Sequence, residues 1–116
     1  IWAAGVKATP LLGRLADRLG PGVETDPSGH VAVAPDCTVP GHPAVFVIGD
    51  CATFRGPDGE PLPGVAPVAM QQGQYVADVI DCRTRGKSPP GDFRYRDKGS
   101  MATIGRSQAV VDLGWV

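Results

Sequence analysis

With 116 residues, 42% hydrophobic and 20% charged, the chain has the length and composition of one small globular domain. A formal net charge of -1 gives no global basic field to attract nucleic acid, and no 18-residue apolar run exists to span a bilayer. The 16 glycines and 12 prolines fall between apolar segments, so they punctuate a turn-rich domain rather than form a low-complexity tail.

In chain order, residues 1–6 read as the end of a strand feeding a turn. The chain opens without an initiator methionine and without a signal-peptide pattern, which gives an expectation of a cytoplasmic protein whose two ends are cut from something longer. Thr9 fits an N-cap and Pro10 the first helical position, where its missing N–H costs nothing. Leu11, Leu12, Leu15 and Leu19 then repeat at helical spacing until Gly20, which predicts a short amphipathic helix. Asp26-Pro27-Ser28-Gly29 reads as a turn and residues 30–33 as a strand, with Pro35, Pro40 and Pro43 in extended loop.

Val45-Phe46-Val47-Ile48 is an uninterrupted apolar run that ends on Gly49-Asp50. Such a run predicts a strand covered on both faces, and open α/β sheets bind ligands just beyond the carboxyl ends of such strands. Gly49 would let a ligand approach the backbone. The Asp50 carboxylate accepts hydrogen bonds from hydroxyls, as on a sugar or polyol chain. Residues 55–64, with three glycines and three prolines, predict a loop. Val68, Ala69, Tyr75, Val76, Val79 and Ile80 recur at helical spacing and predict a helix over about 67–83, with Pro67 in its first turn. Its free N–H groups and positive dipole end could stabilise an anion. Residues 87–92 read as linker, and 93–113 as β structure, with apolar runs at 101–104 and 109–111 around turns at Lys98-Gly99 and 105–107.

Several features point to no chemistry. Cys37, Cys51 and Cys82 lie 14 and 31 residues apart, matching neither a redox pair nor a zinc knuckle, and read as reduced thiols. His30 and His42 sit in turns with no ligand spacing around them. Arg83, Arg85, Lys87, Arg94, Arg96 and Lys98 read as a solvated surface. Arg85-Gly86-Lys87-Ser88 resembles the end of a phosphate loop, but Asp81 stands where that motif needs glycine and prolines follow. No Gly-x-Gly-x-x-Gly occurs, so the pyrophosphate of a dinucleotide would have to be held by residues outside this sequence.

Ile1-Trp2-Ala3-Ala4-Gly5-Val6, the stretch 38–43 leading into 45–50, Leu62-Pro63-Gly64-Val65-Ala66 with Gln71-Gln72-Gly73, and above all Tyr95-Arg96-Asp97-Lys98-Gly99-Ser100-Met101-Ala102-Thr103-Ile104 together resemble type II NADH dehydrogenases. These are single-subunit NADH:quinone oxidoreductases among the FAD-dependent flavoproteins with two dinucleotide-binding domains. The resemblance implies an α/β fold in which residues 1–6 are the last strand of the NADH domain. Residues 7–90 would be the C-terminal half of the FAD domain, and 91–116 the start of a C-terminal β region.

It implies cofactor contacts from Gly49, Asp50 and Cys51, with Asp50 on the ribityl chain of FAD, and from Ala66, Pro67 and Val68 at the pyrimidine edge of the isoalloxazine ring. Substrate contacts would come from Ala4 and Gly5, where flavin meets the nicotinamide of NAD, and from Gln71 and Gln72, near quinone. Many relatives carry glutamine where this chain has Pro67, which removes a side-chain contact and an N–H donor. The resemblance further implies peripheral association with the inner face of the plasma membrane, homo-oligomers, and a chain inactive by itself. Two other readings stand beside it: another FAD-dependent reductase, against which the cysteine spacing argues for the disulfide type, and a non-catalytic module that self-associates through uncovered apolar surface.

Overall fold

The computed structural model describes residues 7–97 and the backbone of residues 100–104 and 108–112. The strand expected at 1–6 and the turns at Lys98-Gly99 and 105–107 lie outside these residues. Helix α1 spans Pro10–Leu19, with Thr9 Oγ1 accepting from the Leu11 N–H at 3.4 Å and Gly20 closing it at φ 89°. Its amphipathic face buries Leu12 (6% exposed) and leaves Leu11 65% exposed. The following turn is tied by the Asp26 carbonyl, which accepts from the Gly29 N–H at 2.9 Å.

Four short strands follow. Strand β1 (Val31–Ala32) pairs in parallel with β4 (Ala52–Thr53), Val31 facing Ala52 and Ala32 facing Thr53. Strands β2 (Thr38–Val39) and β3 (His42–Phe46) form an antiparallel hairpin with an irregularity between Thr38 and Val39. This hairpin stands where the prolines of 35–43 predict extended loop. The turn works because Gly41 supplies φ 82°, and because Pro40 and Pro43 lie in a two-stranded hairpin, where a ladder tolerates missing donors. The ladder continues past β3, since the Val47 N–H donates to the Cys37 carbonyl at 3.1 Å.

The apolar run touches protein on both sides, but the expected buried strand over 45–48 is only partly formed: β3 ends at Phe46 in a two-stranded antiparallel hairpin, and only Val47 of the four is fully buried. Val45 and Val47 join the cluster of Leu12, Val31 and Val39, which includes Leu15 and Leu19 of α1. Phe46 and Ile48 join a second cluster around Cys37, Phe54, Val76 and Phe93. Helix α2 (Ala66–Thr84) belongs to that second cluster, burying Val68, Gln72, Val76 and Val79. Its C-terminal end is anchored to β3: Arg83 donates to the Pro43 carbonyl at 2.6 Å and stacks its guanidinium 5.1 Å from the Phe46 ring centroid. Arg85 pairs with Asp81 at 3.0 Å, so both arginines are used locally. Strands β5 (Ser100–Ile104) and β6 (Gln108–Asp112) form an antiparallel hairpin from Ser100 opposite Asp112 to Ile104 opposite Gln108. Residues 93–97, expected as β, form no strand; Phe93 instead fills the second cluster. The result is a small mixed helix and strand arrangement, with α1 and α2 on different clusters and the short strands between them.

All three cysteines are free thiols. Burial first, and then the charge of Asp36, push the Cys37 thiol up to about 12. The folded state therefore holds this proton more tightly than the unfolded chain does. That contribution is intact below the ordinary thiol range and is lost as pH rises toward 12. In thiol labelling at mildly alkaline pH, Cys51 and Cys82 are expected to react while Cys37 reacts only on unfolding. Cys37 labelled as fast as Cys82 would contradict its burial.

Candidate functional site

The apolar run delivers its end to a single 3₁₀ turn, Gly49–Cys51. Gly49 takes φ 67°, a left-handed conformation that a side chain resists by about 1–2 kcal/mol. A Cβ there would sit 3.4 Å from the Ala69 Cβ on α2, an ordinary van der Waals contact, so it is the backbone conformation that favours glycine. The turn is locked from the helix side. Gln72, 1% exposed, accepts the Gly49 N–H through Oε1 at 2.7 Å.

This geometry leaves Asp50 exposed just beyond the run, with no hydrogen-bond donor from any described residue. A Cβ on Gly64 would lie 3.4 Å from Asp50 Oδ1, so the carboxylate stands against bare backbone of the 55–64 loop. Around it opens a cleft of about 350 Å³, lined among others by Gly49, Asp50, Leu62, Gly64, Val68 and Gln72. Its size falls in the range of small-molecule and cofactor sites. Cys51, Ala66, Pro67 and Gln71 do not line it, although α2 does begin beside it. That helix start, at Val65, carries no side-chain cap.

The far wall of the cleft includes Asp26, His30 and Thr53. His30 Nδ1 lies 2.7 Å from Asp26 Oδ2, while Asp26 Oδ1 accepts the Ser28 and His30 N–H groups at 2.9 Å each. The turn brings Asp26 back onto the imidazole as a hydrogen-bonded partner, while among the described residues no group of His, Cys, Asp and Glu side chains is placed to hold a metal ion. Burial alone would push the Asp26 carboxyl up. The hydrogen bonds from His30, its charge and the Ser28 N–H outweigh that and hold the carboxyl below its ordinary range.

The two adjacent glutamines behave differently. Gln71 clasps the backbone of Arg96, donating from Nε2 to its carbonyl at 2.8 Å and accepting its N–H through Oε1 at 2.9 Å. It thereby docks the segment after the linker onto α2. Gln72 turns inward to Gly49 and the cleft. The legible signal for Gln72 is its position on the apolar stripe of Val68, Val76 and Val79, where a polar side chain must find a buried partner. Ala4 and Gly5 lie outside the described residues.

No family model matches the chain. Among curated proteins it is similar to the type II NADH:quinone oxidoreductases NdhA and Ndh of Mycobacterium tuberculosis, each 44% identical over 98% of this chain. It is also similar to the type II NADH:quinone oxidoreductase of Staphylococcus aureus, 38% identical over 95% of this chain. The chain spans about a quarter of the length of these relatives, 24% in the first two and 26% in the third. Nearly the whole of this chain is thus homologous to about one quarter of proteins named type II NADH:quinone oxidoreductases.

Proposed function

We propose that this chain contributes part of the FAD site of a type II NADH:quinone oxidoreductase, in which hydride passes from NADH to FAD and on to quinone. The observation that carries the reading is the Asp50 carboxylate, which has no hydrogen-bond donor among the described residues and lines a cleft together with Gly49 and Gly64. An acceptor beside two glycines fits a polyol chain lying along the turn, so Gly49, Asp50 and Cys51 follow the ribityl chain. Ala66, Pro67 and Val68 then meet the pyrimidine edge of the ring. The uncapped start of α2 suits that edge, because its unpaired N–H groups and dipole stabilise negative charge there. The flavin, when bound, supplies the hydride chemistry; the chain supplies binding, orientation and electrostatics.

In the same reading Ala4 and Gly5 adjoin the nicotinamide and Gln71 lies toward quinone. Residues 1–6 close the NADH domain, 7–90 complete the FAD domain and 91–116 begin a C-terminal β region. The parent protein sits peripherally on the cytoplasmic membrane face. Among the described residues no helix is long and apolar enough to cross a membrane.

A second reading, self-association of the chain, rests on exposed apolar side chains among the described residues. Leu11, Met70 and Ile80 are among the exposed side chains, with Met70 at 74%. One experiment addresses both readings: size-exclusion chromatography of the chain after incubation with excess FAD, followed at protein and flavin wavelengths. Flavin bands travelling with the protein support a cofactor site within these residues. A colourless protein eluting as a dimer or larger species supports the second reading, and a colourless monomer refutes both for the chain by itself.

A further inference from the structure

Gln72 carries more than its bond to Gly49. Because the Gly49 N–H is a donor, Gln72 must offer it the amide oxygen, and that assignment fixes Nε2 as the group left over. Nε2 finds no acceptor among the described residues. Yet no buried side-chain nitrogen or oxygen among them lacks a partner, so Nε2 is not sealed inside the protein. The way out is the cleft that Gln72 lines together with Gly49, Asp50 and Gly64. A side chain with 1% of its surface exposed therefore presents an unused N–H donor to a cleft whose nearest charged neighbour in sequence to the clamped Gly49 is the acceptor Asp50.

We propose that Gln72 is a ligand-binding residue on the Asp50 side of the site, which donates through Nε2 to one oxygen of a polyol while the adjacent hydroxyl of the same polyol donates to Asp50. Acceptor and donor line the same cleft, and neighbouring hydroxyls of an extended polyol can use one partner that accepts and one that donates. The bond to Gly49 also fixes the donor: an amide held at its oxygen end cannot swing its nitrogen away, so its orientation is set before a ligand arrives. This inference rests on the reading of the cleft as a flavin polyol site, and it moves Gln72 from the quinone side of that reading to the cofactor side.

The test is NMR titration of the longer protein that carries this sequence, flavin-free and ¹⁵N-labelled, with FAD and with lumiflavin, a flavin ring lacking the polyol. FAD is expected to shift the Gln72 side-chain NH₂ signals together with the Gly49, Asp50 and Gly64 amides, and lumiflavin to leave the Gln72 signals in place. Gln72→Glu keeps an acceptor for the Gly49 N–H but loses the donor, so its FAD affinity is expected to fall about tenfold, with lumiflavin affinity unchanged. If FAD shifts Gly49, Asp50 and Gly64 but not the Gln72 NH₂ group, the role of Gln72 is overturned and the flavin reading stands. If FAD shifts none of them, both fall. The wild-type NH₂ signals give this answer whether or not the variant folds.

Discussion

Replacing Phe93 with alanine is expected to destabilise the chain by about 3–5 kcal/mol, the usual cost of removing a buried phenylalanine ring. Phe93 is 6% exposed and meets Phe54 edge-on, with ring centroids 5.2 Å apart, and Tyr75 at 5.5 Å. Each of these rings comes from a different part of the chain, so the cluster ties the segment after the linker to α2 and to the residues following β4. Its N–H donates to the Pro35 carbonyl at 2.9 Å, which adds the loop before β2. Small domains have about 5–15 kcal/mol in total, so this one ring accounts for a large fraction. The measurement is urea unfolding of both proteins by circular dichroism. The Gln71 clasp on Arg96 depends on the same docking, so Phe93→Ala and Gln71→Ala should be strongly non-additive in a double-mutant cycle. A loss under about 1 kcal/mol for Phe93→Ala would mean that the segment after the linker is not docked in this way.

Replacing Asp50 with alanine is expected to leave the fold intact and to cost flavin. Asp50 is exposed and receives no hydrogen bond from a described residue, so its removal orphans no group among them. A hydrogen bond to a charged group contributes about 1.5–3 kcal/mol, which corresponds to roughly 10- to 150-fold weaker FAD binding. The comparison belongs in the longer protein that carries this sequence, with bound flavin read from its visible absorbance and stability from its melting temperature. Affinity lost at unchanged melting temperature of the flavin-free protein fits the proposed role. Unchanged affinity would remove Asp50 from the site, and a lower melting temperature of the flavin-free protein would reassign it to structure.

Features whose causes are local can be read directly from the residue pattern. Thr9, Pro10 and Gly20 bound α1 because a cap, a preset φ and a left-handed stop act within one turn of the chain. The apolar stripe of α2, the turn at 26–29 and the two-sided packing of 45–48 were legible for the same reason: each follows from a short-range pattern of side chains. The tertiary structure decided which partner each polar group met. The hairpin of β2 and β3 was hidden by prolines whose missing donors matter only once the opposing strand is known. His30 met Asp26 because the turn folded a carboxylate back onto the ring. Gln71 and Gln72 are adjacent and chemically identical, so nothing in their own chemistry distinguishes their roles. One clasps Arg96, 25 residues on, while the other reaches Gly49, 23 residues back. Helix geometry sets successive side chains about 100° apart, so neighbours in sequence face different surroundings, and only the packing of distant segments against α2 assigns each amide its partner.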